Sequence, residues 1–126
     1  MTTVLFLQAA YGVAGFLFNL VSQIRAARGQ GHLTPTPPKS GMMVMSIVVL
    51  VTLSYFVSPI VYVIGWIALV VFLGRGGVAT HARALAAGGP MDRYASRGAA
   101  ITAMVLNIFG VAMGVLGLVV VLAGAL

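Results

Sequence analysis

The sequence predicts an all-α integral membrane protein with an N-terminal transmembrane helix, a long apolar segment broken by proline, and a C-terminal transmembrane helix. Composition is the first observation: 61% of the 126 residues are hydrophobic and 6% are charged, whereas a soluble domain is about a quarter charged. Three long stretches carry no charged residue, and every cation lies in one of the two segments between them. The length allows a single membrane domain, residues 1–126.

The first two elements are a helix over residues 3–24 and a loop over residues 25–41. The helix contains no charged residue and would be about 33 Å long, enough to cross the hydrocarbon core. Pro35, Pro37 and Pro38 disfavour helix in the loop, because proline lacks a backbone N–H and restricts the residue before it. We therefore expect a membrane anchor followed by an irregular or polyproline-like surface segment.

The central segment, residues 42–73, has two possible arrangements. A single helix of its 32 uncharged residues would be about 48 Å long, well beyond a hydrocarbon core of roughly 30 Å. Pro59 interrupts it near the middle. The segment forms either a hairpin with legs 42–53 and 59–73 or one kinked, tilted crossing. The legs would be only about 18–23 Å long, so a hairpin could also be re-entrant.

The positions of the cations favour the hairpin. Seven Lys and Arg residues against one acid give a net charge of +6. A hairpin places all seven on one side, as the positive-inside rule expects for two cytoplasmic loops, whereas a single crossing divides them three against four. We expect a bacterial inner membrane with both loops in the cytoplasm, and no nucleic-acid partner. The candidate contacts to anionic lipid headgroups are Arg25, Arg28, Lys39, Arg75, Arg83, Arg93 and Arg97.

The remaining elements are a basic loop over residues 74–98 and a helix over residues 99–126. Asp92 is the only acid in the chain and follows Pro90. Proline is favoured at the first position of a helix and an acid in its first turn. We therefore predict that these two residues begin the last helix, whose uncharged residues suffice for one crossing with some tilt.

Small and amide residues form a ridge along one face of each terminal helix. On the last helix they recur in steps of three and four, a period that keeps one face toward a partner; on the first helix the steps are the same. In lipid, close backbone approach and polar contacts drive helix packing. The predicted packing and partner-interface residues are Gln8, Gly12, Gly15, Asn19, Ala103, Asn107, Gly110, Gly114 and Gly117.

Buried amides should face protein, because an unsatisfied polar group in lipid costs several kcal/mol. In the hairpin topology Asn19 and Asn107 lie below the same membrane surface, so they could pair with each other. Two interpretations remain open: the ridged helices pack only on each other, or one ridge docks another polypeptide.

No catalytic, cofactor-binding or metal site is predicted. Ionisable residues are absent from the apolar stretches, whereas proton relays and charge-selective pores require them at depth. His32 and His81 lie in the predicted loops, where we expect surface histidines. Residues 42–45 include three methionines without a neighbouring His or Cys, a pattern more typical of packing than of metal binding.

Part of the chain resembles two known groups of membrane proteins. The pieces SIVVLVTLSYFVSPIVYVIGWIALVVFLGRGG and SRGAAITAMVLNIFGVAMGVLGL resemble a small bacterial membrane domain of unknown function, which has an apolar hairpin, a basic loop and an RG-led apolar helix. With the loop ALAAGGPMDRYASRGAAI, residues 46–120 are also similar to the dispanin (interferon-induced transmembrane) type. The chain departs from both in its extra N-terminal helix and from dispanins in lacking cysteine. Neither resemblance implies a catalytic residue.

Three functional hypotheses follow, none of them enzymatic. The first is an accessory or structural subunit of a larger membrane complex, such as a respiratory or photosynthetic one, docking other subunits through the small-residue faces. The second, implied by the resemblance, is a membrane-shaping or scaffolding protein of dispanin type. The third is a small homo-oligomeric pore or carrier lined by Gln8, Asn19 and Asn107.

Overall fold

Four long helices make up the fold of residues 1–124, the part of the chain that the computed structural model describes. The first is Thr2–Ala27, the second Pro38–Leu53 with a short 3₁₀ turn at Ser54–Phe56, the third Pro59–Leu85 and the fourth Arg97–Gly124. By length and composition, each is long and apolar enough to cross a membrane. The protein is thus all-helical over the described residues, with four candidate spans.

The central apolar segment forms two separate helices. A tight turn at Ser54–Phe56 ends the second helix, and Pro59 begins the third at a position where a helix needs no N–H. The Ser58 hydroxyl accepts a hydrogen bond from Val61 N at 3.4 Å and so caps the third helix. Gly65 packs against Val51 across the turn. The two helices are therefore antiparallel, as in the hairpin arrangement.

The helix boundaries differ from those predicted. The second helix begins at Pro38 rather than residue 42, because Pro38 occupies the first turn. The third helix does not end at residue 73 but continues to Leu85, through a π-helical turn at Leu73–Val78. The extended legs contain 19 and 27 residues, about 28 and 40 Å. The predicted difficulty of short hairpin legs therefore does not arise.

The last helix begins in a different way from the prediction. Pro90 precedes a short 3₁₀ turn at Met91–Arg93 that contains Asp92, and the helix itself begins at Arg97. The Ser96 hydroxyl accepts a hydrogen bond from Ala99 N at 3.0 Å, which satisfies one free N–H of the first turn. The prediction that Pro90 and Asp92 begin this helix was wrong.

The helices pack in an antiparallel up-and-down order around one core. The first helix lies against the second, where Gly15 contacts Met45, and against the fourth, where Gly110 contacts Tyr11. The fourth also packs on the third. The largest fully buried side chains are Trp66, Tyr11, Tyr62, Gln8 and Val48. Large aliphatic and aromatic side chains cover the outer surface, as expected for helices that face lipid.

Candidate functional site: a cavity at the basic end of the bundle

A cavity of about 190 Å³ lies between the helices at the end of the bundle where the chain's cations are found. All four helices and the first loop contribute to its wall. The apolar lining residues include Phe18, Val44, Met45, Phe72, Leu73 and Leu106. The polar lining residues are Tyr11, Asn19, Thr34, Thr36, Ser40, His81 and Asn107. The cavity is therefore lined by both apolar side chains and neutral residues that carry hydrogen-bonding groups.

Tyr11 lies between this cavity and the packed centre of the bundle. Its side chain is only 2% exposed, and its ring occupies the space beside Gly110, where an added Cβ would clash with it. The Tyr11 hydroxyl donates to Asn107 Oδ1 at 3.3 Å. Beyond it, Gln8 is completely buried and donates to the Tyr62 hydroxyl and the Met113 carbonyl, both at 2.9 Å. Gln8 thus belongs to the core and lines no opening.

The two asparagines border the same cavity. The prediction that they pair with each other was wrong, because each amide bonds to its own helix. Asn19 Nδ2 donates to Gly15 O at 2.8 Å, and Asn107 Nδ2 donates to Ala103 O at 2.8 Å. In both cases a backbone carbonyl of the same helix accepts one N–H of the side-chain amide, and this bond holds the side chain in place. Gly77 lies directly against the Asn107 amide, where an added Cβ would come within 2.6 Å of Cγ.

The first loop closes one side of the cavity. Leu33 N donates to the buried Ser22 hydroxyl at 2.9 Å, and Leu33 O accepts from Ala95 N at 3.1 Å. These bonds hold both loops together over the end of the bundle. Thr34, the next residue, is only 4% exposed and adds its hydroxyl to the cavity wall. The loop predicted as an irregular or polyproline-like surface segment therefore supplies polar residues to the site.

His81 and Tyr94 form a buried pair at the edge of the cavity. His81 Nδ1 lies 2.8 Å from the Tyr94 hydroxyl, and the two side chains are 5% and 8% exposed. Burial raises the pKa of Tyr94, and the nearby charge of Arg93 opposes the shift, so the phenol stays protonated near neutral pH. The prediction of a surface histidine was wrong for His81. His32, in contrast, is exposed.

The third helix widens where it lines the cavity. Its π-helical turn Leu73–Val78 has the sequence LGRGGV, and Leu73, Gly76 and Gly77 contribute to the cavity wall. Three glycines weaken the α-helical preference of this segment, and single π turns are frequent at functional sites. These residues were predicted to begin the basic loop, because the uncharged run of the central segment ends at residue 73.

The predicted interface residues pack inside this chain. Gly12 and Gly15 of the first helix lie against the second helix, not the fourth. On the fourth helix, Gly114 lies against the Trp66 ring, and Gly117 contacts Tyr62 and Gln8. Large side chains from neighbouring helices therefore fill both ridges, and these ridges do not require a second polypeptide.

None of the predicted lipid-contacting cations lines the cavity. Six of the seven are exposed and Arg25 is partly buried. Arg25 and Arg28 lie at the end of the first helix and Lys39 at the start of the second, whereas Arg75 lies in the π-helical turn, deeper in the third helix. No group of three His, Asp or Glu side chains that could hold a metal ion occurs within residues 1–124.

Sequence patterns identified part of this site. Asn19 and Asn107 were detectable as amides in apolar helices, and Ala103 through the spacing of small residues. Tyr11, Thr34 and Tyr94 were missed because they are isolated in the sequence and meet only when the helices pack. The residues PTPPKS, which end the first loop and begin the second helix, were the sequence signal for polar groups at this end of the bundle.

Comparisons with known proteins identify no relative of this chain. No protein-family model, no curated protein and no solved structure matches the chain.

Proposed function

We propose that this chain is a non-catalytic membrane protein that binds one small amphipathic molecule inside its helix bundle. The cavity at the basic end is the observation that carries the proposal. It joins an apolar wall to a set of neutral hydrogen-bonding side chains, a combination typical of small-molecule sites. Phe72 and Gly76 are exposed at its edge, so a hydrocarbon tail has a path toward the bilayer.

A pair of substitutions on the fourth helix tests this proposal. Ala103 is 4% exposed and lines the cavity, so Ala103→Leu should place its added carbons in the binding space. Ala112 is exposed on the same helix, and Ala112→Leu is the matched control. The measurement is organic extraction of the purified proteins followed by quantitative mass spectrometry of small amphiphiles.

We expect the native protein and Ala112→Leu to retain one amphiphile at about one molecule per chain, and Ala103→Leu to lack it. The physical reason is steric exclusion, because a closely packed interior has little spare volume for both the leucine and a ligand. An identical set of extracted molecules from all three proteins, with all three folded, would contradict the proposal.

Three other hypotheses stay predictions: membership of a larger membrane complex, dispanin-type scaffolding and a homo-oligomeric pore. For a complex subunit, the packed ridges leave only the outer surface of large apolar side chains as a docking face. Co-purification of stoichiometric partners in mild detergent would favour that hypothesis. Their loss on Gly110→Leu would follow from unfolding of the bundle, not from a lost docking contact.

A further inference from the structure

The size of the cavity limits the head group that it can hold. An engineered apolar cavity of about 150 Å³ in another protein takes up benzene, and the volume here is about 190 Å³. One six-membered ring with small substituents therefore fits. The volume is below the roughly 300 Å³ or more of cavities that hold drug-sized ligands, so a small head group fits it best.

The charge of the lining residues limits the head group further. Neither Lys, Arg, Asp nor Glu is among the lining residues, although cations are abundant on the nearby surface. A buried carboxylate or phosphate without a paired cation is strongly unfavourable. The cavity thus favours a neutral head group over an anionic one.

The hydrogen-bonding groups of the cavity wall favour a ligand whose head group carries a hydrogen-bond acceptor. A phenol is a stronger acid than a neutral imidazole N–H, so we assign the Tyr94 hydroxyl as the donor to His81 Nδ1 at 2.8 Å. This assignment places the imidazole proton on Nε2. Because Nδ1 is occupied and His81 lines the cavity, Nε2–H is the ring group available to a ligand. Thr34 adds a hydroxyl to the same wall.

We propose that the bound molecule is a neutral amphiphile whose ring-sized head carries carbonyl oxygens, as a quinone does, and that His81 Nε2–H donates a hydrogen bond to one of them. Tyr94 acts as a positioning residue, because its hydroxyl holds the His81 ring in the donor tautomer. This proposal rests on the proposed function, since it names the class of molecule bound at the same cavity.

Three probes with the same decyl tail separate the effects of the carbonyl oxygens and of the charge on binding. They are a decyl-substituted benzoquinone, decylbenzene and a decyl-substituted benzoate. Binding is measured as probe retained on nanodiscs that contain the full chain, after subtraction of probe retained on protein-free nanodiscs of the same lipid. We expect the native protein to bind the quinone most tightly, decylbenzene more weakly, and the benzoate most weakly because its charge is not paired.

Substitutions of His81 and Tyr94 test the proposed hydrogen bond from His81 Nε2–H to the ligand. His81→Phe keeps a planar ring but removes the donor, and we expect it to weaken quinone binding about tenfold without changing decylbenzene binding. His32→Phe, at an exposed histidine of the first loop, is the matched control and should leave all three affinities unchanged. Tyr94→Phe should weaken quinone binding by a smaller factor, about threefold, because the donor remains but its tautomer is no longer fixed.

Specific results overturn the inference. Tighter binding of the benzoate than of the quinone contradicts the neutral head group. Equal effects of His81→Phe on quinone and decylbenzene, in a variant with native unfolding temperature, contradict the hydrogen bond. If Ala103→Leu loses a co-purified amphiphile but the native protein does not bind the quinone, the proposed function stands and this inference fails. If Ala103→Leu and Ala112→Leu bind the quinone equally, the cavity itself is excluded as the site.

Discussion

The glycines of the fourth helix serve as contact points for side chains of this chain's own core. An added Cβ at Gly114 would lie 2.6 Å from Cε3 of Trp66, and one at Gly110 would clash with the Tyr11 ring. In lipid such close packing replaces the hydrophobic driving force that joins helices in water. The sequence predicted that these glycines mark contacts, but not that aromatic rings from two other helices fill the ridge.

Gly114→Leu tests this packing at one residue. The new side chain must displace the Trp66 ring, which is fully buried, and we expect a loss of about 1–3 kcal/mol in the free energy of unfolding. Gly124→Leu is the matched control, because no heavy atom of residues 1–124 lies within 4 Å of a Cβ added at Gly124. Thermal unfolding followed by circular dichroism in detergent measures both. Equal stability of the two variants would contradict the assigned packing.

Gln8 and Tyr62 form the main polar contact in the centre of the bundle. Gln8 Nε2 donates to the Tyr62 hydroxyl at 2.9 Å, and the hydroxyl lies 3.1 Å from Gln8 Oε1. A double-mutant cycle with Gln8→Leu and Tyr62→Phe isolates the pair. We expect a coupling energy of about 0.6 kcal/mol, with about 1.7 kcal/mol as the upper bound known for such contacts in membranes. Zero coupling would show that the pair contributes only through packing.

At the scale of elements, the sequence predicted the helices better than their ends. The uncharged runs and Pro59 marked the four helical segments, because apolar length and proline act locally. The continuity of the third helix through LGRGGV to Leu85 was missed, since neither Arg75 nor these glycines prevent helix once the fourth helix packs beside them. The contact between Gly77 and Asn107 is a tertiary effect that no local pattern contains.

Ser22 connects the first helix to the first loop, and its hydroxyl is the buried acceptor for Leu33 N. Ser22→Ala leaves that N–H without its partner, which costs about 1–3 kcal/mol where the group stays buried. We expect faster hydrogen–deuterium exchange at Leu33 and Thr34 and earlier proteolysis of the loop. Ser46→Ala is the control, because the exposed Ser46 hydroxyl bonds only to Met42 O of its own helix. Unchanged exchange in Ser22→Ala would contradict the role of this bond.

At the scale of the whole molecule, charge and packing divide the bundle into two unlike ends. Val57, in the turn between the second and third helices, is apolar and 90% exposed, whereas both loops at the opposite end carry or adjoin the cations. In the sequence only the positions of the cations favoured the hairpin over the single crossing, because Pro59 is compatible with either. The antiparallel contact of Val51 with Gly65 distinguishes the two arrangements, and it depends on residues from both legs.

The chain contains no cysteine, so single cysteines can report which end faces which side of the membrane. Gln30→Cys and Ala87→Cys probe the two loops at the cationic end, and Val57→Cys probes the turn; all three positions are exposed. We expect an impermeant thiol reagent added to intact bacterial cells to label Val57→Cys only, and to label the other two after the membrane is opened, because cations are retained on the cytoplasmic side. Reversed labelling would contradict the orientation predicted from the cations but would be consistent with the hairpin. Labelling of Gln30→Cys and Ala87→Cys from opposite sides would contradict the bundle topology itself, because antiparallel second and third helices place these two loops at the same end.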